Sequence, residues 1–417
     1  MSLRSFEVSN YRAFVEPAKV ELKELTLFFG YNNAGKSALA RVLPLLRDSS
    51  FAKRGLPLNL ESATVRGGEF ADLRSRLTGL RKISLVLEWN DPEIRKVRIV
   101  LQDLPERRQH IVESFELEPP AGPALHGEWV VPSGDVMEPT VYGIRHAGGA
   151  ETRVAIDWLG LIPQVAPGLP PEKERLMNAL AAVTKGLQDT LWVGAVRSMQ
   201  PRRPPFPRLQ PATIEPDGKG SADVLAWDKR YGGELFAAVS GWYAKNTSTP
   251  LDVAIRADEY EIVTGISQVN LSDTGEGLTQ VLPVLVAGAM AARTAKANRS
   301  SYLVIEQPEL HLHPAAHAPL AEFFCTIAAA ASAPKILVET HSENFLFGVQ
   351  LAVAGGLLDP DRVLIHWVRQ DEQGYATITP IPMDRDGRPD AWPKGVFTEE
   401  AELARQLLEA RRQRGAK

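Results

Sequence analysis

The sequence predicts an α/β fold in which a mainly parallel sheet is assembled from both chain ends, with a β-hairpin and helical region inserted between them. Near the start, an apolar strand, a glycine-containing loop and a helical pattern follow one another within residues 20–46. Strands and helices alternate again between residues 275 and 381. Such alternation is typical of a parallel sheet with helices on both faces. Because the two blocks lie far apart in the chain, we expect one fold built from both.

The first 190 residues contain the first block and the predicted insertion. Strand-like alternation over 3–8 and 20–29 leads into a helix over 38–46, which Pro44 is expected to kink or end. Residues 133–171 are rich in Gly and Pro and are predicted to be irregular. Four short alternating segments predict hairpins added to the core sheet, at residues 82–89, 97–101, 111–117 and 128–131. A helical pattern follows at residues 172–188.

After a predicted buried strand at 191–196, a Pro- and Arg-rich stretch at 201–211 cannot form a regular helix or a central strand. Helices are predicted over 221–230, 234–245, 275–296, 315–331 and 343–351, and a charged amphipathic one over 398–414. Strands are predicted over 253–255, 261–269, 301–305, 335–339, 363–369 and 375–381. We divide the chain into the N-terminal part of the main lobe (1–100), the insertion (101–190), the second part of the lobe (191–380) and a tail (381–417).

The composition limits the class of protein. The 417 residues are 44% hydrophobic and 24% charged, with a net charge of −4, which is typical of a globular protein in solution. One cysteine, Cys325, excludes a disulfide framework and a cysteine-based zinc cluster. The first 12 residues have no secretory apolar region, and the apolar runs 280–292 and 321–333 are too short to span a bilayer. We expect a cytoplasmic protein without a membrane partner.

Four residues of the glycine loop, Gly30, Gly35, Lys36 and Ser37, complete the pattern Gly-x-x-x-x-Gly-Lys-Ser between a strand and a helix. The glycines allow a tight turn whose backbone N–H groups form a phosphate-sized nest. Lys36 is expected near the outer phosphates of a nucleotide, and the Ser37 hydroxyl is a predicted Mg²⁺ ligand. The other predicted nucleotide-binding residues of the loop are Asn32, Asn33 and Ala34.

Two later strands end in polar residues of the kind that complete such a site. The apolar strand 302–305 leads to Glu306, Gln307 and Glu309, the arrangement of a Walker B motif. A carboxylate at that strand end can reach Mg²⁺ beside the P-loop, so Glu306 is a predicted metal ligand. The strand 335–339 leads to His341, which is expected to sense or orient a terminal phosphate.

Small polar residues also precede the long helix predicted at 275–296. Ser272, Asp273 and Gly275 are candidates for an anion site at its N-terminus. The alternative is that Ser272 or Asp273 simply caps the helix, with Glu276 completing a capping box, and both can hold together. A zinc site at His313 and His317 is a weaker alternative, because no third ligand has convincing spacing.

These motifs, in this order, resemble the ABC-type ATPases of the SMC, RecF and OLD (overcoming lysogenization defect) group. The loop from Gly30 to Ser37 resembles the family pattern G-x-N-G-x-G-K-S, with Asn33 replacing a glycine. Residues 10–14, Asn-Tyr-Arg-Ala-Phe, resemble the family's N-F-R-S-F start, which implies that Arg12 lies near the nucleotide. Residues 306–314 resemble E-E-P-E-x-H-L-H-P, and 272–280 take the place of the signature motif that reaches a partner's nucleotide.

The chain looks most similar to a bacterial subgroup of AAA/OLD-like ATPases that ends in a short domain of unknown function. Residues 193–208 and 392–399 resemble that subgroup's Arg/Pro-rich segment and W-P-x-G-F-F-D-E tail. Neither a Toprim nuclease domain nor a heptad-rich arm is expected. Gln307 stands where the family has the glutamate that activates water, and glutamine cannot accept a proton at neutral pH. Slow hydrolysis, Glu309 as the base, or an ATP-held switch are the alternatives.

The resemblance implies an ATPase whose cofactors are ATP and Mg²⁺ and whose catalytic residues are Lys36, Gln307, Glu309 and His341. It also implies a homodimer or higher homo-oligomer around ATP, a separately encoded effector, double-stranded DNA as a partner, and anti-phage or anti-plasmid defence. An ATP-gated scaffold and a RecF-like repair ATPase remain alternatives. Candidate DNA-contacting groups are Arg95, Lys96, Arg98, Arg107, Arg108, Arg202, Arg203, Arg411, Arg412 and Arg414.

Overall fold

The computed structural model describes residues 2–51, 56–107, 109–131, 140–147, 149–165, 167–247, 249–393 and 405–407. Its strands are β1 (Ser2–Ser9), β2 (Ala18–Glu21), β3 (Leu25–Gly30), β4 (Lys82–Asn90), β5 (Lys96–Leu104), β6 (Gln109–Glu118), β7 (Leu125–Trp129), β8 (Val141–His146), β9 (Thr152–Leu159), β10 (Ile162–Val165), β11 (Thr190–Val193), β12 (Leu251–Arg256), β13 (Glu259–Thr264), β14 (Val269–Asn270), β15 (Tyr302–Glu306), β16 (Lys335–Glu339), β17 (Val363–Gln370) and β18 (Ala376–Ile381). Its α-helices are α1 (Lys36–Ala40), α2 (Val42–Ser49), α3 (Phe70–Leu73), α4 (Pro171–Lys185), α5 (Ser221–Tyr231), α6 (Glu234–Asn246), α7 (Glu276–Lys296), α8 (His317–Ala328) and α9 (Glu343–Ala354).

A six-stranded sheet in the order β11-β15-β16-β3-β17-β18 forms the centre of the fold. All neighbours are parallel except β17 and β18. Its central strand β3 comes from the N-terminal block, and every residue of β3 is buried. The predicted α/β fold assembled from both chain ends is therefore confirmed. The carboxyl ends of β3, β15 and β16 meet at one edge of the sheet, which is where ligands bind in such folds.

The middle of the chain forms a second sheet rather than an extension of the first. This nine-stranded sheet has the order β10-β9-β8-β7-β6-β5-β4-β1-β2 and is antiparallel throughout. The expectation that the hairpins join the core sheet was wrong, because β4 pairs with β1 instead. Residue 100 lies inside β5, so the sheet runs continuously across the division drawn between 1–100 and 101–190, and that division stays a prediction.

Residues 133–171 contain three strands, β8, β9 and β10, and the prediction of an irregular segment was wrong for the part of it that the structure describes. The signal for β9 is the alternation of Val154, Ile156 and Trp158, which are all buried against the core. The surrounding Gly and Pro residues outweighed that signal. In β8, by contrast, Tyr142 to Ile144 are buried consecutively, so no alternation marks that strand.

The helix after the glycine loop breaks earlier than predicted. α1 ends at Ala40 and α2 begins at Val42, whereas Pro44 lies inside α2. Proline has no N–H to donate to the carbonyl four residues before it, and its ring crowds that carbonyl. The break therefore falls one turn before Pro44, at Arg41, and it directs the Arg41 side chain into the core.

Three further helices cover the central sheet and its small neighbour. A three-stranded sheet, β12-β13-β14, packs beside α5 and α6. By length and composition α7 could cross a membrane, but 78% of its most apolar window is buried inside the fold. A buried core helix passes the same test. Of the predicted tail helix at 398–414 the structure describes only residues 405–407, which are helical, and most of the 392–399 motif lies outside the described residues.

Candidate active site

The glycine loop has the backbone geometry of a phosphate-binding turn. A Cβ atom on Gly30 would lie 2.0 Å from the carbonyl oxygen of Val368 in β17, and one on Gly35 would lie 2.9 Å from the Phe14 ring. Both have positive φ, 149° and 105°. Asn33 also has a positive φ, 64°, and asparagine is among the side chains that tolerate this region best. The replacement of the family's glycine by Asn33 is thus compatible with the turn.

Lys36 begins α1 and is only 3% exposed. Its Nζ donates hydrogen bonds to the carbonyl oxygens of Gly30 at 3.0 Å and Tyr31 at 2.8 Å. Burial lowers the pKa of Lys36, and the nearby Glu339 carboxylate partly opposes this shift. Two neutral acceptors therefore hold the ammonium group beside the loop.

Ser37, the predicted Mg²⁺ ligand, donates a hydrogen bond of 2.8 Å to Oε1 of Glu339. Glu339 ends β16 and is 5% exposed, and its Oε2 is buried without a hydrogen-bond partner among the described residues. Burial first, and then the charge of Glu306, raise the pKa of Glu339 to about 7. Glu339 was not among the predicted site residues. Its position at a strand end, one residue before Thr340 and His341, was the available signal.

Glu306, the predicted Walker B carboxylate, is occupied by a different partner. Arg41 donates from Nε to Oε1 at 2.6 Å and from Nη2 to Oε2 at 2.5 Å, a bidentate ion pair between residues 265 positions apart. Trp192 adds an Nε1–H hydrogen bond to Oε1 at 3.0 Å. Burial opposes the charge of Arg41, but the hydrogen bonds and charge of Glu306 outweigh it and raise the Arg41 pKa.

A cavity of about 470 Å³ opens beside the glycine loop, within the range of about 300–1,000 Å³ that small-molecule sites span. Predicted residues that line it are Arg12, Asn32, Asn33, Gly35, Lys36, Ser37, Gln307 and His341. Lining residues that were not predicted as site residues are Ala13, Ala38, Arg41, Arg66, Glu339 and Gln370. The remaining predicted residues, Gly30, Ala34, Glu306, Glu309, Ser272, Asp273 and Gly275, do not line it in the described part of the chain.

Gln307 faces the cavity from a constrained backbone. Its φ is 45°, and its N–H donates to the carbonyl oxygen of Glu339 at 2.7 Å. Its own carbonyl oxygen accepts a hydrogen bond of 2.8 Å from Nη2 of Arg197, a buried residue of the segment after β11. These contacts fix the turn that follows β15 and aim the Gln307 side chain at the cavity.

Glu309 and His341 are linked through the backbone. Oε1 of Glu309 accepts a hydrogen bond of 3.0 Å from the His341 N–H, while its Oε2 is buried and unpaired among the described residues. Burial, and then the charge of Lys36, lower the pKa of His341 to about 4. His341 is therefore neutral at physiological pH and can both accept and donate a hydrogen bond in the cavity.

The predicted signature residues contact the Pro/Arg segment rather than capping α7. Gly275 is the N-cap of α7 and no side chain caps the helix, so the capping alternative was wrong. The Ser272 hydroxyl donates to the carbonyl oxygen of Gln200 at 3.0 Å, and Arg202 forms an ion pair with Asp273. Asp273 and Gly275 are exposed and, in the described part of the chain, do not line this chain's own cavity.

The histidines after β15 have partners within the fold. Nδ1 of His313 accepts from the Ala315 N–H at 3.2 Å, and His317 contacts the Ser342 hydroxyl at 2.7 Å and the Leu312 carbonyl oxygen at 3.2 Å. Among the residues that the structure describes, no group of three potential ligands could hold a metal ion.

Most candidate DNA-contacting groups within the described ranges are in ion pairs. Arg95 and Lys96 pair with Glu118, and Arg203 pairs with Glu261. Arg98 lies 3.9 Å from Glu116, and Arg202 pairs with Asp273. Arg108, Arg411, Arg412 and Arg414 lie outside the described residues.

Residues 1–103 and 243–346 match the family model described as an AAA ATPase domain. The two segments flank an unmatched middle and contain the glycine loop, β15, β16 and His341. No curated protein matches the chain. The family model and the geometry of the glycine loop therefore carry the assignment of the site.

Three solved structures illustrate the distant likenesses. An SMC head bound to the C-winged helix domain of ScpA is 9% identical, covers 92% of this chain and 98% of its own, and has a TM-score of 0.49. The SMC head domain from Thermotoga maritima is 10% identical, with coverage of 92% and 100% and a TM-score of 0.43. An Smc head domain with an extended coiled coil bound to the C-terminal domain of ScpA, derived from Pyrococcus furiosus, is 10% identical, with coverage of 99% and 99% and a TM-score of 0.46.

Proposed function

We propose that the chain is a P-loop ATPase of the ABC type in the SMC and RecF group, and that it binds Mg-ATP in the cavity beside Lys36 and Ser37, hydrolyses it slowly and dimerises around it. The match of residues 1–103 and 243–346 to the AAA ATPase domain model supports this proposal. The observation that carries the proposal is the cavity of about 470 Å³ into which the glycine loop, Gln307, Glu339 and His341 all converge. Loop N–H groups and the N-terminus of α1 offer hydrogen-bond donors to phosphate oxygens.

Each lining group has a distinct task in this proposal. Lys36 supplies a positive charge that its two carbonyl partners hold in place. Ser37 and one of the two acidic side chains that end β15 and β16 would hold Mg²⁺, which neutralises charge on the outer phosphates. His341 is neutral and can donate a hydrogen bond to a terminal phosphate oxygen while Glu309 holds its backbone.

Slow hydrolysis follows from the chemistry of Gln307. Its amide can orient a water molecule but cannot take the proton from it. Glu309, the alternative base, binds the His341 N–H and does not line the cavity among the described residues. An ATP-gated scaffold with little turnover is the second candidate function, and the same observation on Gln307 favours it.

The dimer is proposed because Ser272, Asp273 and Gly275 do not reach this chain's own cavity. A second copy could bring them to the nucleotide from the other side. We further propose a separately encoded protein effector and double-stranded DNA as partners, on the resemblance of the motifs to the SMC, RecF and OLD group. The resemblance in the motifs favours anti-phage or anti-plasmid defence in the cytoplasm, with RecF-like repair as the alternative.

ATP turnover by the purified chain, with and without linear duplex DNA, tests the proposal. We expect turnover near or below about 1 s⁻¹, the low end for enzymes, and its loss in Lys36→Ala. Lys19→Ala is the matched control, because Lys19 forms an exposed ion pair with Glu88 in the other sheet. Nucleotide binding that survives Lys36→Ala unchanged would contradict the site.

Gln307→Glu tests the origin of the slow rate. A carboxylate at this position can act as a general base, a role that contributes about 10²–10⁴-fold, so we expect faster turnover with unchanged nucleotide affinity. Unchanged turnover would identify another group as the base.

Loss of phage restriction on deletion of the gene and its neighbour would favour defence, and damage sensitivity alone would favour repair.

A further inference from the structure

We propose that Glu339, and not the Walker B residue Glu306, is the carboxylate that holds the magnesium ion of the nucleotide beside Ser37. This inference rests on the proposed nucleotide-binding function. The two acids are neighbours, because Glu306 and Glu339 are register partners at the ends of the parallel strands β15 and β16. Only one of them has an oxygen free for a cation.

Glu306 is fully engaged within the protein. Both of its carboxylate oxygens accept hydrogen bonds from Arg41, and Oε1 also accepts one from Trp192. The residue is 2% exposed, and in the described part of the chain it does not line the cavity. Transfer of Glu306 to a metal would leave the guanidinium of Arg41, which is 9% exposed, without its counter-ion. Breaking a buried pair in this way is strongly unfavourable.

Glu339 has the opposite character. It lines the cavity, and only 5% of it is exposed. Oε1 accepts the Ser37 hydroxyl at 2.8 Å, and Oε2 has no hydrogen-bond partner among the described residues. A buried carboxylate oxygen without a donor is costly, and a bound cation is the partner that this oxygen lacks. Lys36 attracts Glu339 by its charge but forms no ion pair with it among the described residues, since its Nζ donates to the carbonyl oxygens of Gly30 and Tyr31.

The chemistry of the donor set fits magnesium. A serine hydroxyl and one carboxylate, with the remaining positions left to water and phosphate oxygens, are how Mg²⁺ is usually held in nucleotide sites. The hydrogen bond between Ser37 and Glu339 already places both oxygens side by side at the edge of the P-loop. Glu306 then has a structural task, which is to fix Arg41 at the break between α1 and α2.

The test separates metal binding from nucleotide binding in the full chain. Mn²⁺ is used as the probe and its binding is followed by electron paramagnetic resonance in the presence of ADP. Fluorescent ADP affinity is measured in parallel with Mn²⁺ and with a chelator. The variants are Glu339→Gln, which keeps an acceptor for Ser37 but removes the charge, and Glu306→Gln, its matched neighbour.

We expect Glu339→Gln to weaken Mn²⁺ binding by about tenfold or more while leaving the affinity measured in chelator unchanged. Glu306→Gln should keep the Mn²⁺ affinity and lower the unfolding temperature. If Glu306→Gln fails to fold, Mn²⁺ binding is measured instead on the double variant Arg41→Met, Glu306→Met, which removes both charges. Glu339→Asp should recover part of the Mn²⁺ affinity.

Loss of Mn²⁺ binding in the Glu306 variant, with binding retained in Glu339→Gln, would overturn the inference. Equal losses in both would overturn it as well, because they would make the two acids equivalent. A native chain that binds no ADP under any condition would overturn the proposed function itself, and with it this assignment. If the native chain binds Mn-ADP and Glu339→Gln binds Mn²⁺ equally well, the proposed nucleotide binding stands and only the assignment of Glu339 as the magnesium ligand is rejected.

Discussion

The guanidinium of Arg197 donates a hydrogen bond of 2.8 Å to the carbonyl oxygen of Gln307. The same Nη2 donates to the carbonyl oxygen of Glu306 at 2.8 Å. Arg197 also contacts Gln280 in α7. Its Nη1 donates a hydrogen bond of 3.4 Å to the carbonyl oxygen of Gln280, and the Gln280 Nε2 donates one of 3.1 Å to the carbonyl oxygen of Arg197. One buried side chain thus joins the turn after β15 to the helix that follows the signature residues.

Removing this link in Arg197→Met should destabilise the protein and slow ATP turnover. At least one buried carbonyl loses its donor, which costs about 1–3 kcal/mol, and the turn that carries Gln307 loses its support. Urea unfolding and turnover are the measurements. Arg203→Met is the control, because its exposed ion pair with Glu261 should be worth no more than about 1 kcal/mol. Equal effects of both variants would refute a special role for Arg197.

Gly35→Ala should abolish nucleotide binding and cost about 1–3 kcal/mol of stability. Its φ of 105° is unfavourable for any L side chain, and the new Cβ would lie 2.9 Å from the Phe14 ring. The control is Gly241→Ala in α6, where a Cβ meets nothing within 4 Å and helix propensity favours alanine. Thermal unfolding and ADP titration report the two effects, and a Gly35→Ala protein with native ADP affinity would contradict the predicted turn.

Removing one partner of the ion pair between Arg41 and Glu306 should lower the free energy of unfolding far more than replacing both partners. Arg41→Met leaves a buried carboxylate without its counter-ion, and we expect a loss of about 3–5 kcal/mol. The double variant Arg41→Met, Glu306→Met should regain most of that loss. A double-mutant cycle by urea unfolding measures the coupling. Additive losses would mean that the two side chains do not depend on each other.

If the signature residues act on a partner's nucleotide, Ser272→Arg should prevent an ATP-dependent dimer. The large cation would occupy the surface beside the N-terminus of α7, and Ser272 does not line its own chain's nucleotide cavity among the described residues. Light scattering after size exclusion, with a non-hydrolysable ATP analogue, gives the mass of the assembly. Ala238→Arg, an exposed position on α6, is the control for added charge. A native chain that stays monomeric with the analogue would rule out the dimer under these conditions.

The sequence was sufficient for the central sheet because its signals are local and repeated. β16 has the predicted bounds, 335–339, and the order of strand, loop and helix around Gly30 was enough to predict a P-loop. The partner of Glu306 could not be predicted. Arg41 lies at the break between α1 and α2 and is buried, and no pattern in the sequence links it to a residue that lies 265 positions away.

The role that we propose for Glu339 could not be predicted from the sequence for a related reason. A glutamate at the end of an apolar strand is visible in the sequence, but its free oxygen depends on what its neighbours already bind. The nine-stranded sheet was only partly predicted. Its outer strands β8 and β10 are short and lie among Gly and Pro residues, where tertiary pairing outweighs local propensity.

The position of β3 also dictates the order in which the protein can be made. Among the described strands, β3 pairs with β16 and β17, which begin at Lys335 and Val363. At about 5–20 residues per second, the ribosome would need roughly 15–60 s to supply those partners after β3 emerges. Meanwhile the nine-stranded sheet, whose strands end at Val165, can already pair and shelter the growing chain. A product released early would therefore be folded in part yet unable to form the P-loop.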